Sequence, residues 1–567
     1  MFFHVPHLRF FLRLLPVFFA SNLAGQPDPI ALRSIVERQL GEAVSPDHAG
    51  TAVAVVKDDS VLLTATYGLA NLEHRVRVTD STVFHVASVS KQFTGFAIAQ
   101  LIATGRVALT DPVRRYLPDF PSFSHEVTVE HLIYHTSGLR EWSTTLFLAG
   151  RAGDDSFTNA DVRRMVAAQQ ELNFLPGSQF RYTNTNYTLL AEIVTAVTGL
   201  SFADYLEQEV FGPLGMTHTV VRDDLESIIP NRAGSYFYRN DTAFDAVDNL
   251  AVTGASGIYA SVADLAKWGR NLFRQQLGVP EAYTLLRRPG YLNDGTKIEY
   301  GFGFWIGNFY GTDWIDHTGS WAGNRAYSTY FPEHDLAIFT LKNYDERDYL
   351  GQHLAVAVLK DELQASGSGS SNAPAPDTVP VAFEAGPHLP GVYRLAPDRF
   401  LRLAVRNGAL YGAVFPAAYG DTVYSAEEAV VRRSGDTLAL AGLDLRFRPS
   451  TNGAGFSAAG QTYRPLEQDD AGNPADYTGS YYSDELNVGY EVRRTDKGLQ
   501  IGNLNNGRFP LRHIAGDDYD VPVPFLDFVR FVRDGAGRVT GLAVSTERSV
   551  NQYFRKIPEP VAQTPRE

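Results

Sequence analysis

A serine hydroxyl attacks a carbonyl only when a base takes its proton, and one stretch of this 567-residue chain offers both groups at helical spacing. Ser88-Val89-Ser90-Lys91 opens the most apolar helical segment of the sequence, with Val89, Phe93, Phe96, Ala97, Ile98, Leu101 and Ile102 ahead of a stop at Gly105. Residues at i and i+3 share a helix face. A lysine amine serves as a base once burial and neighbouring positive charge lower its pKa. The helix N-terminus adds positive potential and free N–H groups for a developing oxyanion. The chain has only eight lysines, and Lys91 alone has a serine three positions before it. A solvated lysine would sit oddly between Val89 and Phe93.

Such a nucleophile needs a proton shuttle and a second oxyanion donor. Tyr182-Thr183-Asn184 places a phenol and an amide two residues apart, on one side of a locally extended segment. Tyr238-Arg239-Asn240 and Tyr291-Leu292-Asn293 share the pattern. The turn residues Pro176-Gly177-Ser178 before it and a helical stretch beginning at Tyr187 single out the first. His317-Thr318-Gly319 occurs once, at the end of a predicted strand, where Gly319 admits a substrate backbone and the Ser320 N–H faces that of Ser88. His131 and His135 stand at i, i+4, but no glutamate of a zinc-protease helix accompanies them and Thr136-Ser137-Gly138 follows at once. They read as a helix end rather than a metal site. There is no Gly-x-Ser-x-Gly turn. The absence of cysteine excludes thiol nucleophiles, disulfides, zinc–thiolate sites and iron–sulfur clusters.

The elements that must hold these groups divide at residues 365–380 (ASGSGSSNAPAPDTVP), a linker by composition. Before it, residues 28–364 read as an α+β domain: a helix over 30–44, a hairpin over 51–67 turning at Asp58-Asp59-Ser60, the buried helix 89–103, strands near 314–316, 326–331 and 336–341, and a helix over 349–363. After it come two similar all-β stretches, 381–470 and 475–558, each running from Gly-x-Tyr to an aromatic-basic pair (Tyr463-Arg464, Phe554-Arg555). They suit two small antiparallel barrels or two halves of one lipocalin-like barrel. Residues 1–25, with Leu14 to Ala20 apolar and small residues following, predict a cleaved export signal and a periplasmic or secreted protein. No later stretch approaches 18 apolar residues, so no stable membrane insertion is expected. With a net charge of −14 and no long basic run, nucleic acid is not an expected partner. A small-molecule or peptide substrate is, and neither a metal nor an organic cofactor is implied.

Taken in order, Ser88-x-x-Lys91, Tyr182-x-Asn184 and His317-Thr318-Gly319 resemble the three motifs of the penicillin-recognising serine hydrolases. The nearest branch looks like class C β-lactamases, D,D-carboxypeptidases, D-aminopeptidases and family VIII esterases. The connecting phrases at 84–93 (FHVASVSKQF), 109–118 (LTDPVRRYLP), 131–139 (HLIYHTSGL), 213–216 (PLGM) and 254–265 (GASGIYASVADL) are similar too. The resemblance implies a central antiparallel sheet flanked by helices, with an all-helical insertion. It further implies acylation of Ser88, proton transfer by Lys91 and Tyr182, substrate binding by Asn184, His317, Thr318 and Gly319, and an oxyanion held by the N–H groups of Ser88 and Ser320. Class C β-lactamases carry lysine where this chain has His317, which points away from antibiotic turnover and toward D-peptides or esters. His-Thr-Gly resembles the D,D-carboxypeptidase version, Ser320-Trp321 departs from the D-aminopeptidase pattern, and paired C-terminal barrels resemble D-aminopeptidases. The expectation is an exported serine hydrolase of a small amide or ester; the alternative is a ligand- or partner-binding protein that keeps the fold.

Overall fold

A computed structural model describes residues 29–41, 45–309, 311–346, 350–359, the strands between 391 and 463 with residues 464 and 466, and 472–558 apart from 524 and 547. The predicted export signal and linker lie outside these residues. The first domain is built on a six-stranded antiparallel sheet in the order Trp305–Phe309, Thr312–Trp321, Asn324–Phe331, Leu336–Lys342, Thr51–Lys57 and Ser60–Tyr67. The first two strands of the chain thus pair with the last four of the domain, which is how its two ends meet in one sheet.

Thr51–Lys57 reads as a continuous apolar run because both of its faces are covered. Ala52, Ala54 and Val56 point into the large core, while Val53 and Val55 join a second core with Leu32 and Val36 of helix Pro29–Leu40 and Leu354 and Val358 of helix Leu350–Val358. Leu336–Lys342 divides its side chains in the same way. The sheet is the middle of three layers. Its first hairpin turns through Asp58 (φ 49°) and Asp59 (φ 70°), two positive-φ positions of the kind a tight two-residue hairpin turn needs and aspartate tolerates.

Several boundaries differ from the sequence reading: the strand expected near 314–316 runs over Thr312–Trp321, so His317, Thr318 and Gly319 lie within it rather than at its end. The first helix ends at Leu40, and the Ser88 segment splits into a 3₁₀ turn, Ala87–Ser90, and an α-helix, Lys91–Ala103. The helix expected from Tyr187 starts at Asn184, so only Tyr182 and Thr183 precede it. His131 caps its short helix Val129–Ile133, its Nδ1 accepting from the Thr128 N–H at 3.1 Å, whereas His135 (φ 56°) has left the helix. The pair therefore does not share a helix face. Among the described residues no single helix is long and apolar enough to cross a bilayer.

The C-terminal strands form two separately hydrogen-bonded antiparallel sheets, eight-stranded over Gly391 to Tyr463 and nine-stranded over Gly479 to Lys556. The second curls into a nearly closed barrel around Tyr481, Tyr490, Ile501, Phe531, Leu542 and Phe554. Leu148, from helix Trp142–Leu148 of the first domain, is buried in that barrel's core. Tyr490 donates to its carbonyl at 3.1 Å, and Asn505 and Asn506 donate to the carbonyls of Gly150 and Phe147 at 3.0 and 2.5 Å. The second sheet is thereby seated on the first domain.

Candidate active site

Ser88 sits in the 3₁₀ turn just ahead of the buried helix, after Ala87 at φ 47°. A left-handed alanine costs on the order of 1–3 kcal/mol and persists only where its surroundings enforce it. Here the turn lifts Ser88 to a partly exposed position while Lys91, the first helical residue, is completely buried. The Lys91 Nζ lies 3.0 Å from Ser88 Oγ, 2.7 Å from Asn184 Oδ1 and 2.8 Å from the Ala255 carbonyl. Burial pushes its pKa well below the ordinary value, Glu141 opposes that shift, and Arg548 adds to it.

The Tyr182 ring centroid is 5.0 Å from the Lys91 Nζ. The ring is set in an aromatic wall, with His135 at 4.5 Å and Trp305 stacked at 6.2 Å. Thr183 is extended (φ −143°, ψ 132°), and Asn184 follows as the first helical residue with its carboxamide turned to Lys91. The structure therefore brings Tyr182, Asn184 and Lys91 together, with Asn184 on the helix rather than in the extended segment that the spacing suggested.

His317 is buried on the neighbouring strand. Its Nδ1 is 2.6 Å from the Thr318 carbonyl, which can only accept, so Nδ1 carries the proton and Nε2 accepts from the Tyr300 hydroxyl at 3.2 Å. Burial, with Lys91 adding to it, pushes the imidazole pKa down to about 3. The ring is neutral at physiological pH. A Cβ on Gly319 would lie 2.1 Å from the Val86 carbonyl oxygen. Only glycine lets this strand run against the turn that carries Ser88, and the exposed Thr318 and Ser320 flank it. Among the described residues no group of three or more His, Asp or Glu side chains is placed to hold a metal ion.

Residues 32–360 match the Beta-lactamase family. The chain belongs to that family. It is a serine hydrolase of the β-lactamase fold. It is 30% identical over 296 residues to a D-aminopeptidase of Gluconobacter oxydans, covering 52% of this chain and 56% of that protein. To a D-aminopeptidase of Brucella anthropi it is 25% identical over 530 residues, 90% of this chain and 95% of that one. The octameric penicillin-binding protein homologue from Pyrococcus abyssi shares the fold, with a TM-score of 0.52 and 20% identity over 77% of this chain and 99% of that one.

Two charged groups of this β-lactamase-family site left no mark in the sequence. Glu141 is fully buried, and its carboxylate accepts from the Asn184 N–H (2.6 Å), Asn184 Nδ2 (3.0 Å), the Thr183 hydroxyl (3.1 Å) and the Ser143 hydroxyl (2.9 Å). It thus aims the amide that contacts Lys91. Arg548 arrives from the nine-stranded sheet: its Nη1 is 3.8 Å from Glu141 Oε2 and its guanidinium 5.1 Å from the Tyr182 ring centroid. His135, read as a helix end, belongs to the wall behind Tyr182, and its Nδ1 accepts from the Thr183 N–H at 3.3 Å. No motif spacing signals any of the three, because each is defined by a contact with a residue at least 42 positions away.

Proposed function

We propose that the protein hydrolyses small amides or esters, D-amino-acid peptides foremost, through an acyl-enzyme on Ser88. The observation that carries this reading is the Lys91 amine, buried and 3.0 Å from the Ser88 hydroxyl, with two acceptors at 2.7 and 2.8 Å. A neutral amine has two hydrogens and one lone pair. With Asn184 and Ala255 taking the hydrogens, the lone pair is left for the Ser88 proton. The Ser88 oxygen bonds to the substrate carbonyl carbon as its proton passes to Lys91. The Tyr182 phenol, beside that amine, relays the proton to the departing amine or alcohol, and the C–N or C–O bond breaks. Water then attacks the acyl group, returns a proton to Ser88 and releases the acid. The N–H groups of Ser88 and Ser320 hold the carbonyl oxygen through both steps, and Asn184, Thr318 and Gly319 line the path of the substrate chain.

The neutral His317 supports amides and esters over β-lactams, since the third motif then offers no cation to a penicillin carboxylate. The two D-aminopeptidase relatives support a D-amino-acid acyl group. Export to the periplasm or medium, proposed from residues 1–25, suits a substrate class found in cell walls. The test is turnover of D- and L-amino-acid p-nitroanilides and short p-nitrophenyl esters by the protein and by Ser88→Ala. A mass increase at Ser88 and loss of turnover in the variant are expected. Undiminished turnover by Ser88→Ala refutes the reading.

A further inference from the structure

We propose that Arg548, carried into the site by the nine-stranded C-terminal barrel, is a positioning residue for the reaction: it offsets the buried Glu141 carboxylate and leaves Lys91 free to take the Ser88 proton. The inference rests on the reading of Lys91 as the base.

Glu141 is joined to Lys91 through a single side chain. Asn184 donates Nδ2 to Glu141 Oε1 at 3.0 Å, and its Oδ1 meets the Lys91 Nζ at 2.7 Å. A fully buried carboxylate one amide away favours the ammonium form of lysine, the form that cannot act as a base. The guanidinium of Arg548 stands on the other side of this balance. It keeps its charge at any working pH, it is 3.8 Å from Glu141 Oε2, and it lies over the same Tyr182 ring as the Lys91 Nζ, at 5.1 and 5.0 Å from the centroid.

The other titratable groups facing Lys91 do not supply this charge. His317 and His135 are held neutral by burial. Burial keeps the Tyr187 and Tyr300 phenols protonated, their pKa values raised well above the ordinary one, and Tyr182 is the ring the two cations share. Arg140, the next cation along the Glu141 segment, is paired with Glu485 of the barrel.

The loop that brings Arg548 is tied to the first domain at Arg548 itself and at the two residues after it. Ser549 Oγ accepts from the Glu141 N–H at 3.1 Å, and Asn173 donates to the Arg548 carbonyl at 3.1 Å while accepting from the Val550 N–H at 3.0 Å. Within the loop, Thr546 and Ser549 exchange backbone and hydroxyl hydrogen bonds at 2.7 to 3.2 Å. These six hydrogen bonds fix a cation whose own backbone lies more than 350 residues from Tyr182, Glu141 and Lys91 in the chain.

The test uses the full-length protein with Arg548→Gln and Arg548→Lys, recording kcat/KM against pH on a p-nitroanilide that the wild type turns over. In Arg548→Gln the acidic limb moves to higher pH, because Glu141 then holds Lys91 protonated further up the scale. In Arg548→Lys it returns toward the wild-type position. Should Arg548→Gln fail to fold, Arg548→Met fills the space without a buried amide and is read in the same way. A loss of rate that is uniform across pH, with the limb unmoved, overturns the inference and leaves a packing role. Wild-type turnover that survives Ser88→Ala instead removes the reading beneath it, so the two failures are told apart.

Discussion

Glu141→Gln tests the part of the site that no motif announces. The wild-type carboxylate accepts on Oε1 from Asn184 Nδ2 (3.0 Å) and from the Ser143 hydroxyl and N–H (2.9 and 3.4 Å), and on Oε2 from the Asn184 N–H (2.6 Å) and the Thr183 hydroxyl (3.1 Å). The Asn184 and Ser143 N–H groups can only donate, whereas the Ser143 and Thr183 hydroxyls can also accept, so the new NH₂ group faces an N–H donor whichever way it is turned. One orientation forfeits the bonds to Asn184 Nδ2 and the Ser143 N–H, the other that to the Asn184 N–H, and in both the remaining bonds lose their charge assistance. The forfeited charge-assisted bond is worth roughly 1.5–3 kcal/mol. Removal of one member of a buried ionic contact costs about 3–5 kcal/mol in total. Urea unfolding followed by tryptophan fluorescence, which includes the adjacent buried Trp142, is expected to show a loss of about 4 kcal/mol. Because the Asn184 amide also loses its aim at Lys91, kcat/KM should fall by about a hundredfold. Stability within about 0.5 kcal/mol of wild type, the range of an ordinary surface change, would refute the claim that this carboxylate organises the site.

Two further predictions probe the strand beside Ser88. Gly319→Ala places a methyl 2.1 Å from the Val86 carbonyl oxygen, so the strand and the nucleophile turn must part, and acylation measured by stopped flow should fall about a hundredfold; a rate within a few fold of wild type would show that the two backbones are not in contact. His317, its pKa pushed down to about 3 with the proton on Nδ1, should keep constant imidazole ¹⁵N shifts of the Nδ1–H tautomer from about pH 5 to 8. Its folded pKa is lowered, so protonation from the ordinary value of 6.5 downward favours the unfolded chain. Stability carried by this residue is therefore full above 6.5 and declines as pH falls toward 3. A midpoint near 6.5 in the NMR titration would contradict the assignment.

The fold was legible where side-chain period and turn chemistry agree. The 51–67 hairpin announced itself through two β-branched runs around an Asp-Asp-Ser turn, and the helix after Ser90 through an apolar surface that only complete burial explains. Boundaries were less legible because they depend on contacts remote in sequence. Asn184 starts its helix three residues ahead of the apolar pattern because the Glu141 carboxylate accepts its N–H, which takes the place of a side-chain cap.

The site shows the same division. Ser88, Lys91, Tyr182, Asn184 and His317 stood out as candidates because their spacing and their order along the chain present them, and the structure gathers Ser88, Tyr182 and Asn184 around the Lys91 amine. The charge around Lys91 did not stand out, because it is assembled from three parts of the chain that carry no shared pattern: a helix start at 91, a loop residue at 141 and a barrel loop at 548. A buried base is useful only if its protonated form is not over-stabilised, so a site that buries Glu141 against the Asn184 amide needs a compensating cation nearby. Arg140, the cation next to Glu141 in the chain, is paired with Glu485. On the proposed reading the compensation comes from Arg548 of the C-terminal barrel, 3.8 Å from Glu141, and this gives the barrel a physical reason to be docked on this face that its own strand pattern does not disclose.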